Sequence, residues 1–319
     1  MSEDPTLLNR QSLTGLILMP MLCACASTFD QDSALAVTPY TIADGGQLVV
    51  ETTLNGQGPF RFSLDTGASI SVVFERLRES LSLEPVPGAS VTVHGVVASQ
   101  AFPLVDIDQM RLGEEIWANP RMVLLPDQEA VTAQIDGILG IDFLSAYAVG
   151  FSTADRRMRL YAVDRVASNA YRGWASIPMT LESISDGTAS LYLFEIEING
   201  RKLPALFDLG AGSNLINWSA ARSLGLTPAS AKSGDRVSGA FGSLTDVARL
   251  NVEELSTEGI SWRNEKFSVG DFGIFEIFEL GDGPAVILGA GLFSQRDFVI
   301  DFARGRVLVK VAMDDEDSR

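Results

Sequence analysis

The chain has 319 residues, 46% of them hydrophobic, with 29 Gly and 13 Pro; this is enough for two lobes with separate cores and suits a globular protein rich in strands and turns. Its 24 Lys and Arg stand against 41 Asp and Glu, a net charge of −17, which argues against nucleic acid or an anionic membrane as the main partner. Both cysteines, Cys23 and Cys25, fall near the N-terminus and there is a single histidine, His94, so the body offers no disulfide, no Cys nucleophile and no His-rich metal site.

Taken in chain order, the first feature is the apolar run Leu13–Ala26, 14 residues long and too short for a confident membrane span. It reads as the core of a secretory signal with two competing processing sites. Ala24-Cys25-Ala26 is an A-x-A pattern that gives a mature start at Ser27. Leu22-Cys23-Ala24-Cys25 resembles a bacterial lipobox and gives a lipoprotein acylated on Cys25. Arg10 is the only basic residue ahead of the run, opposed by Glu3 and Asp4, and a buried helix or uncleaved anchor is the third reading. The expectation is export to the periplasm, with a lipid anchor as one of the two endings.

After a loose stretch to about Thr38, Gln47–Leu54 alternates and is β-branched, Asn55-Gly56 punctuates it, and Phe60–Leu64 follows, which is a hairpin pattern. The second half repeats the plan: Leu191–Ile198, a turn at Asn199-Gly200, then Leu203–Phe207, at an offset of 143 to 144 positions. Val93–Val97 and Val237–Gly242 are candidate Gly-containing hairpins. The halves close on Ala148–Leu160 and Val299–Leu308. Helical signals are confined to Phe74–Leu81 and to Ser219–Leu224 behind a capping Asn217. Phe272–Phe278 is read as a strand or loop, with lining of a binding site as the alternative. The segment from about Asp164 to Ser176 lacks a strand period and marks the boundary between lobes. Asp314–Asp317 is an acidic, solvated tail.

The repeat carries chemistry. Phe62-Ser63-Leu64-Asp65-Thr66-Gly67-Ala68 in one half matches Ala205-Leu206-Phe207-Asp208-Leu209-Gly210-Ala211 in the other. Each is followed by an apolar triplet ending in Gly: Ile138-Leu139-Gly140, with Gly140 75 positions after Asp65, and Ile287-Leu288-Gly289, with Gly289 81 positions after Asp208. Two carboxylates set on Gly turns at strand ends and related by an internal repeat form a candidate dyad. Like charges held close cannot both ionise, so such a pair shares one proton. Backbone N–H groups at Gly67 and Gly210 are positioned in sequence to bond the carboxylates and favour their charged form.

This constellation resembles the retropepsin-like aspartic peptidases, in the bacterial single-chain form with two fused lobes, over roughly residues 40 to 312. The resemblance implies an all-β fold of two pseudo-symmetric β-barrel lobes with a cleft between them, and Asp65 and Asp208 at its floor as the catalytic pair. It makes Thr66, Gly67, Ala68, Leu209, Gly210 and Ala211 the supporting turns, with the two apolar triplets packed beneath them. His94, Gly95 and Val96 in one lobe, and Gly239, Ala240 and Phe241 in the other, are flap candidates; an ordinary hairpin turn is the competing reading.

The lobes are expected at 38–165 and 176–312, with 1–26 as signal and 313–319 as tail. The implied activity is an exported endopeptidase acting on extended polypeptides such as periplasmic or membrane-protein segments. It needs no metal or organic cofactor, no nucleic acid and no second copy of the chain.

Ala68 and Ala211 stand where pepsin-like enzymes carry a hydroxyl, which implies a less acidic working range. Leu209 departs from the family, whose two turns usually both carry Thr or Ser bonding across the lobe interface; its side chain cannot donate such a bond. The second turn continues Gly212-Ser213-Asn214 where the first has Ser69-Ile70-Ser71. A binding module that keeps the fold without turnover is therefore the alternative function. Asp136 and Asp142, beside the first triplet, are read as surface or capping residues.

Overall fold

The computed structural model describes residues 33–94, 99–127, 135–166, 171–183, 189–227, 232–238, 244–277, 280 and 283–311. The apolar run with Cys25, the acidic tail, and Gly95, Val96, Gly239, Ala240, Phe241 and Phe278 lie outside the described residues.

The first half opens with β1 (Ala36–Ile42), β2 (Leu48–Leu54), β3 (Gln57–Leu64) and β4 (Val72–Phe74). A 3-10 turn at Glu75–Leu77 leads into α1 (Arg78–Leu81), then β5 (Pro85–His94) and β6 (Ser99–Asp106). The hairpin β7 (Gln109–Leu112) and β8 (Glu115–Ala118) precedes β9 (Arg121–Leu125), β10 (Gly137–Leu139) and α2 (Ile141–Leu144). The half ends with β11 (Tyr147–Ser152) and β12 (Arg157–Ala162).

The second half runs β13 (Ala175–Pro178), β14 (Thr180–Ser183), β15 (Ser190–Ile198), β16 (Arg201–Asp208) and β17 (Asn214–Ile216). It continues with α3 (Trp218–Ser223), β18 (Lys232–Ser238), β19 (Leu244–Thr257), β20 (Ile260–Val269) and α4 (Gly273–Ile277). β21 (Val286–Gly289), α5 (Ala290–Phe293), β22 (Phe298–Asp301) and β23 (Arg306–Val309) close it.

Strand order shows the repeat in space. Lobe one reads β2-β3-β10-β4-β9-β6-β5, and lobe two reads β15-β16-β21-β17-β20-β19-β18. In both, the short strand bearing the apolar triplet runs parallel to the Asp-bearing strand and antiparallel to the strand after it: β10 between β3 and β4, β21 between β16 and β17. The two hairpins form as the Asn-Gly signals require, with positive φ at Asn55 and Gly56 and again at Asn199 and Gly200, the handedness that suits tight β-turns. α3 starts at Asn217, whose side chain accepts from the Ala220 N–H, as the capping signal predicts.

The lobes are joined by a third set of strands in the order β13-β23-β22-β11-β12-β1. Its centre pairs one lobe with the other, Val149 with Ile300 and Gly150 with Val299, and Phe151 stacks on Phe298 at 4.5 Å. β1 then crosses from this shared sheet into lobe one: Ala36–Pro39 pair with β12 and Tyr40–Ile42 with β2. The fold is all-β and bilobal, as the resemblance implies.

Two readings of the sequence are corrected. The stretch expected to be loose up to about Thr38 already contains the start of β1. Pro39 obscures it, since proline disfavours a strand interior, and its partner β12 is more than a hundred residues away. Phe272–Ile277 forms no strand: Gly273–Ile277 is the helix α4, and Phe272 and Phe275 are buried in lobe two rather than lining an open site.

Candidate active site

Asp65 and Asp208 occupy matching points in the two lobes. Asp65 follows β3, and its N–H donates to Leu139 O of β10 at 3.0 Å. Asp208 ends β16 in parallel register with Gly289 of β21. The turns after them fold alike because each carboxylate accepts the N–H two residues on: Gly67 N donates to Asp65 Oδ1 at 2.7 Å, and Gly210 N to Asp208 Oδ1 at 2.8 Å. Asp208 Oδ1 also accepts Ala211 N at 3.1 Å. The turns then tie back to the triplets, through Ile141 N to Ala68 O at 2.8 Å and Ala290 N to Ala211 O at 2.7 Å.

The tertiary fold brings the two turns face to face. The two carboxyl groups are in hydrogen-bonding contact with each other. Gly67 is packed so closely that a Cβ there would lie 2.8 Å from Asp208 Cγ, and a Cβ on Gly210 would come closer still to Asp65 Cγ. Glycine is required here by the approach of the opposite lobe.

Across this interface the grip is one-sided. Thr66, fully buried, donates from Oγ1 to Phe207 O at 2.8 Å and accepts Leu209 N–H at 2.9 Å. Leu209 returns no side-chain bond. Its side chain, fully buried, joins the main hydrophobic core, where burial of a leucine contributes about 1.5–3 kcal/mol. Thr66 thus bonds the lobe-two backbone on both sides of Asp208 by itself. A second bridge joins Ser69 Oγ to Ser190, donating to its carbonyl at 3.1 Å and accepting its N–H at 2.8 Å. At the matching place in the repeat, Gly212 instead packs directly on the backbone of Gly45 and Gly46.

Burial raises both carboxyl groups above the ordinary carboxylate range, Asp65 the more strongly. For Asp65, desolvation comes first and the Asp208 charge and hydrogen bond add to it. For Asp208, desolvation is opposed by the hydrogen bond from Asp65 and by the N–H groups of Ala211, Gly210 and Gly67. Gly67 and Ala68 N–H groups oppose the rise at Asp65 as well, so the pair as a unit holds a proton that two free carboxylates would release.

Beneath the turns lies support from Ser71 and Asn214, whose role the sequence reading passed over, and from Asp142, read as a surface or capping residue. Ser71 Oγ accepts Gly140 N at 3.0 Å and donates to Asp142 Oδ1 at 2.7 Å. Asp142 also accepts Ser71 N and Phe143 N, both at 2.9 Å. Burial raises the Asp142 carboxyl and these bonds oppose the rise. In lobe two, Asn214 Oδ1 takes Gly289 N directly at 3.1 Å, and Gly291 stands where lobe one has Asp142. Ser71 and Asn214 lie six residues after their aspartates, an offset that marks them in the repeat; nothing in the repeat marks Asp142. Asp136, read as a surface or capping residue, accepts Arg61 N at 2.8 Å.

Ile138 and Leu139 point to opposite sides of β10: Leu139 is fully buried in the main core, and Ile138 is partly exposed against a second cluster. Ile287 and Leu288 repeat the arrangement in β21, but with both side chains buried. His94 ends β5, partly exposed, with Nδ1 2.8 Å from Ser99 Oγ; its hairpin and that of β18 and β19 occupy matching edges of the two lobes.

A family model described as aspartyl protease matches the chain twice, over residues 50–143 and 194–292. Each match contains one aspartate turn and its triplet, and the chain belongs to the aspartyl protease family as a two-lobed, retropepsin-like member. No curated protein matches it.

Proposed function

We propose that the chain is an active aspartic endopeptidase that hydrolyses peptide bonds of extended polypeptides with water activated between Asp65 and Asp208. The observation that carries this is the carboxyl pair: in mutual contact, desolvated, and unequally supported by backbone N–H groups. The ionised member of the pair removes a proton from water as the water oxygen bonds to the scissile carbonyl carbon. The protonated member gives its proton to the carbonyl oxygen, producing a tetrahedral diol with no covalent link to the enzyme. Breakdown returns a diol proton, passes one to the leaving nitrogen, breaks the C–N bond, and releases an acid and an amine.

An extended substrate suits a site between two β-lobes, whose strand edges can pair with a peptide backbone. Both lobes lie on one chain, so a monomer suffices. The run Leu13–Ala26 supports export, with Cys25 as the candidate lipid attachment point. The competing reading, a peptide-binding module without turnover, rests on Leu209; Thr66 weakens it by bonding the opposite turn through both functions of its hydroxyl.

The test is incubation of the protein with a diverse mixture of unfolded peptides from about pH 4 to 7, read by mass spectrometry, beside Asp65→Asn and Asp208→Asn. Discrete cuts that vanish in both variants are expected. Full activity in either variant sinks the dyad assignment, and absence of cuts by folded protein favours the binding module.

A further inference from the structure

Each aspartate turn is held twice, once by its own lobe and once by the other. Within lobe one, Asp65 N–H bonds Leu139 O, Gly67 N–H bonds the Asp65 carboxylate, and Ile141 N–H bonds Ala68 O. These bonds fix the turn on its own lobe and leave its position against Asp208 open. That position is set by contacts across the lobe boundary. Among the described residues, two side chains of the Asp65 turn make them by hydrogen bonds, Thr66 and Ser69.

The Ser69 contact reaches the hairpin that carries the opposite carboxyl. Ser190 begins β15, which pairs antiparallel with β16, and β16 ends on Asp208. Ser69 Oγ takes both backbone groups of Ser190, its carbonyl at 3.1 Å and its N–H at 2.8 Å. Thr66 alone fixes a point and permits rotation about it; a second contact, on another segment, fixes the orientation too. The reverse contact, from the Asp208 turn to the lobe-one hairpin, is made by packing. Gly212, placed after Asp208 as Ser69 is placed after Asp65, lies against Gly45 and Gly46 ahead of β2, and a Cβ on it would run into Gly45 O. One turn is thus held by close backbone contact and the other by a single hydroxyl.

We infer that Ser69 is a positioning residue, which holds the Asp65 turn in contact with Asp208 by bonding Ser190 across the lobe boundary. Its kinetic consequences rest on the proteolytic reading; the contact it maintains does not. Besides burial, the strongest influences on the two carboxyls are each other and the N–H groups of Gly67, Ala68, Gly210 and Ala211. Separation of the turns weakens the mutual effect and admits water, so the pair gives up its shared proton at a lower pH.

The experiment compares Ser69→Ala and Ser69→Thr with the unsubstituted full chain, on a peptide that it cleaves, from about pH 4 to 8. In Ser69→Ala, kcat is expected to fall at least about tenfold while KM changes less than about threefold. The basic limb of kcat/KM is expected to move to lower pH by at least about half a pH unit. Ser69→Thr keeps the oxygen and recovers both. Ser69→Cys, close to serine in size but a weak donor and acceptor, serves if the alanine variant does not fold. Ser183→Ala is the control: its exposed hydroxyl meets Ser190 Oγ at 2.7 Å, and its loss leaves both readouts unchanged.

A basic limb that stays in place in folded Ser69→Ala overturns the inference even where kcat falls, because a merely weakened fold lowers the rate without changing the proton affinity of the pair. Movement of the limb in Ser183→Ala overturns it as well. If the unsubstituted protein cleaves nothing, the proteolytic reading fails and the positioning is read from Tm against pH. A pair that keeps a proton in the native state loses stability as pH rises through its folded value. A smaller loss in Ser69→Ala supports the positioning, and parallel curves overturn it.

Discussion

Thr66→Val isolates the link between the lobes. Valine nearly matches threonine in shape, so the substitution removes the hydroxyl and little else. Two buried backbone groups lose their partner: Phe207 O, which accepted at 2.8 Å, and Leu209 N–H, which donated at 2.9 Å. Phe207 and Leu209 are 1% and 0% exposed, so water does not replace the lost bonds without opening the interface. A buried polar group left without a partner costs about 1–3 kcal/mol, which gives roughly 2–6 kcal/mol for the pair. In a chain of this size each kcal/mol moves Tm by about 2–4 °C, so a fall of roughly 5–20 °C is expected in a thermal melt followed by circular dichroism.

The same substitution frees the Asp208 turn to shift relative to Asp65, and misplacement by about an ångström can cost a hundredfold in rate. Cleavage kcat is therefore expected to fall at least about tenfold. Thr66→Ser, which keeps the oxygen, should recover most of both. A Thr66→Val protein with unchanged Tm and kcat would refute the reasoning and would mean that the apolar packing of Leu209 alone holds the turns together.

Asp65→Asn should stabilise the protein at neutral pH. The folded carboxyl is raised well above 3.8, so the native state holds its proton after the unfolded chain has released it, and native stability declines as pH rises through the folded value. Melts of the two proteins should coincide near about pH 3 and separate in favour of the variant near about pH 7, and the opposite order would contradict the assigned direction. Gly210→Ala pushes a methyl group into the Asp65 carboxyl; loss of cleavage by about a hundredfold is expected even from folded protein, and near-normal kcat would show that the turns separate easily. Asp142→Ala removes the acceptor of Ser71 N–H, Ser71 Oγ–H and Phe143 N–H; because Asp142 is itself exposed, water takes up part of these bonds, and a cost of about 1–2 kcal/mol in denaturant unfolding is expected, whereas Asp142→Asn, which retains an acceptor oxygen, should lose less. Equal losses in the two Asp142 variants would assign the effect to packing.

What the sequence by itself determined is what local chemistry and repetition encode. The Asn-Gly turns at 55–56 and 199–200 demand positive φ, and both hairpins formed there. Asn217 capped its helix. The repeated Asp-x-Gly-Ala and apolar-apolar-Gly segments announced a two-lobed β fold, because strand endings and glycine turns are dictated by neighbours a few residues away.

Only the tertiary structure decided the rest. The pairing of β11 with β22, and the crossing of β1 between sheets, join segments far apart in the chain, and no local pattern specifies such register. Two carboxyl groups 143 positions apart became a single proton-sharing unit because the lobes press each glycine turn against the other's aspartate. Leu209 stood out in the sequence as a missing hydroxyl; in the fold it is a buried core residue whose backbone supplies the bond that its side chain lacks. The segment around Phe275 became a buried helix because lobe two has an apolar face beside its aspartate turn, and desolvating that face outweighs the strand preference of the isolated aromatic sequence.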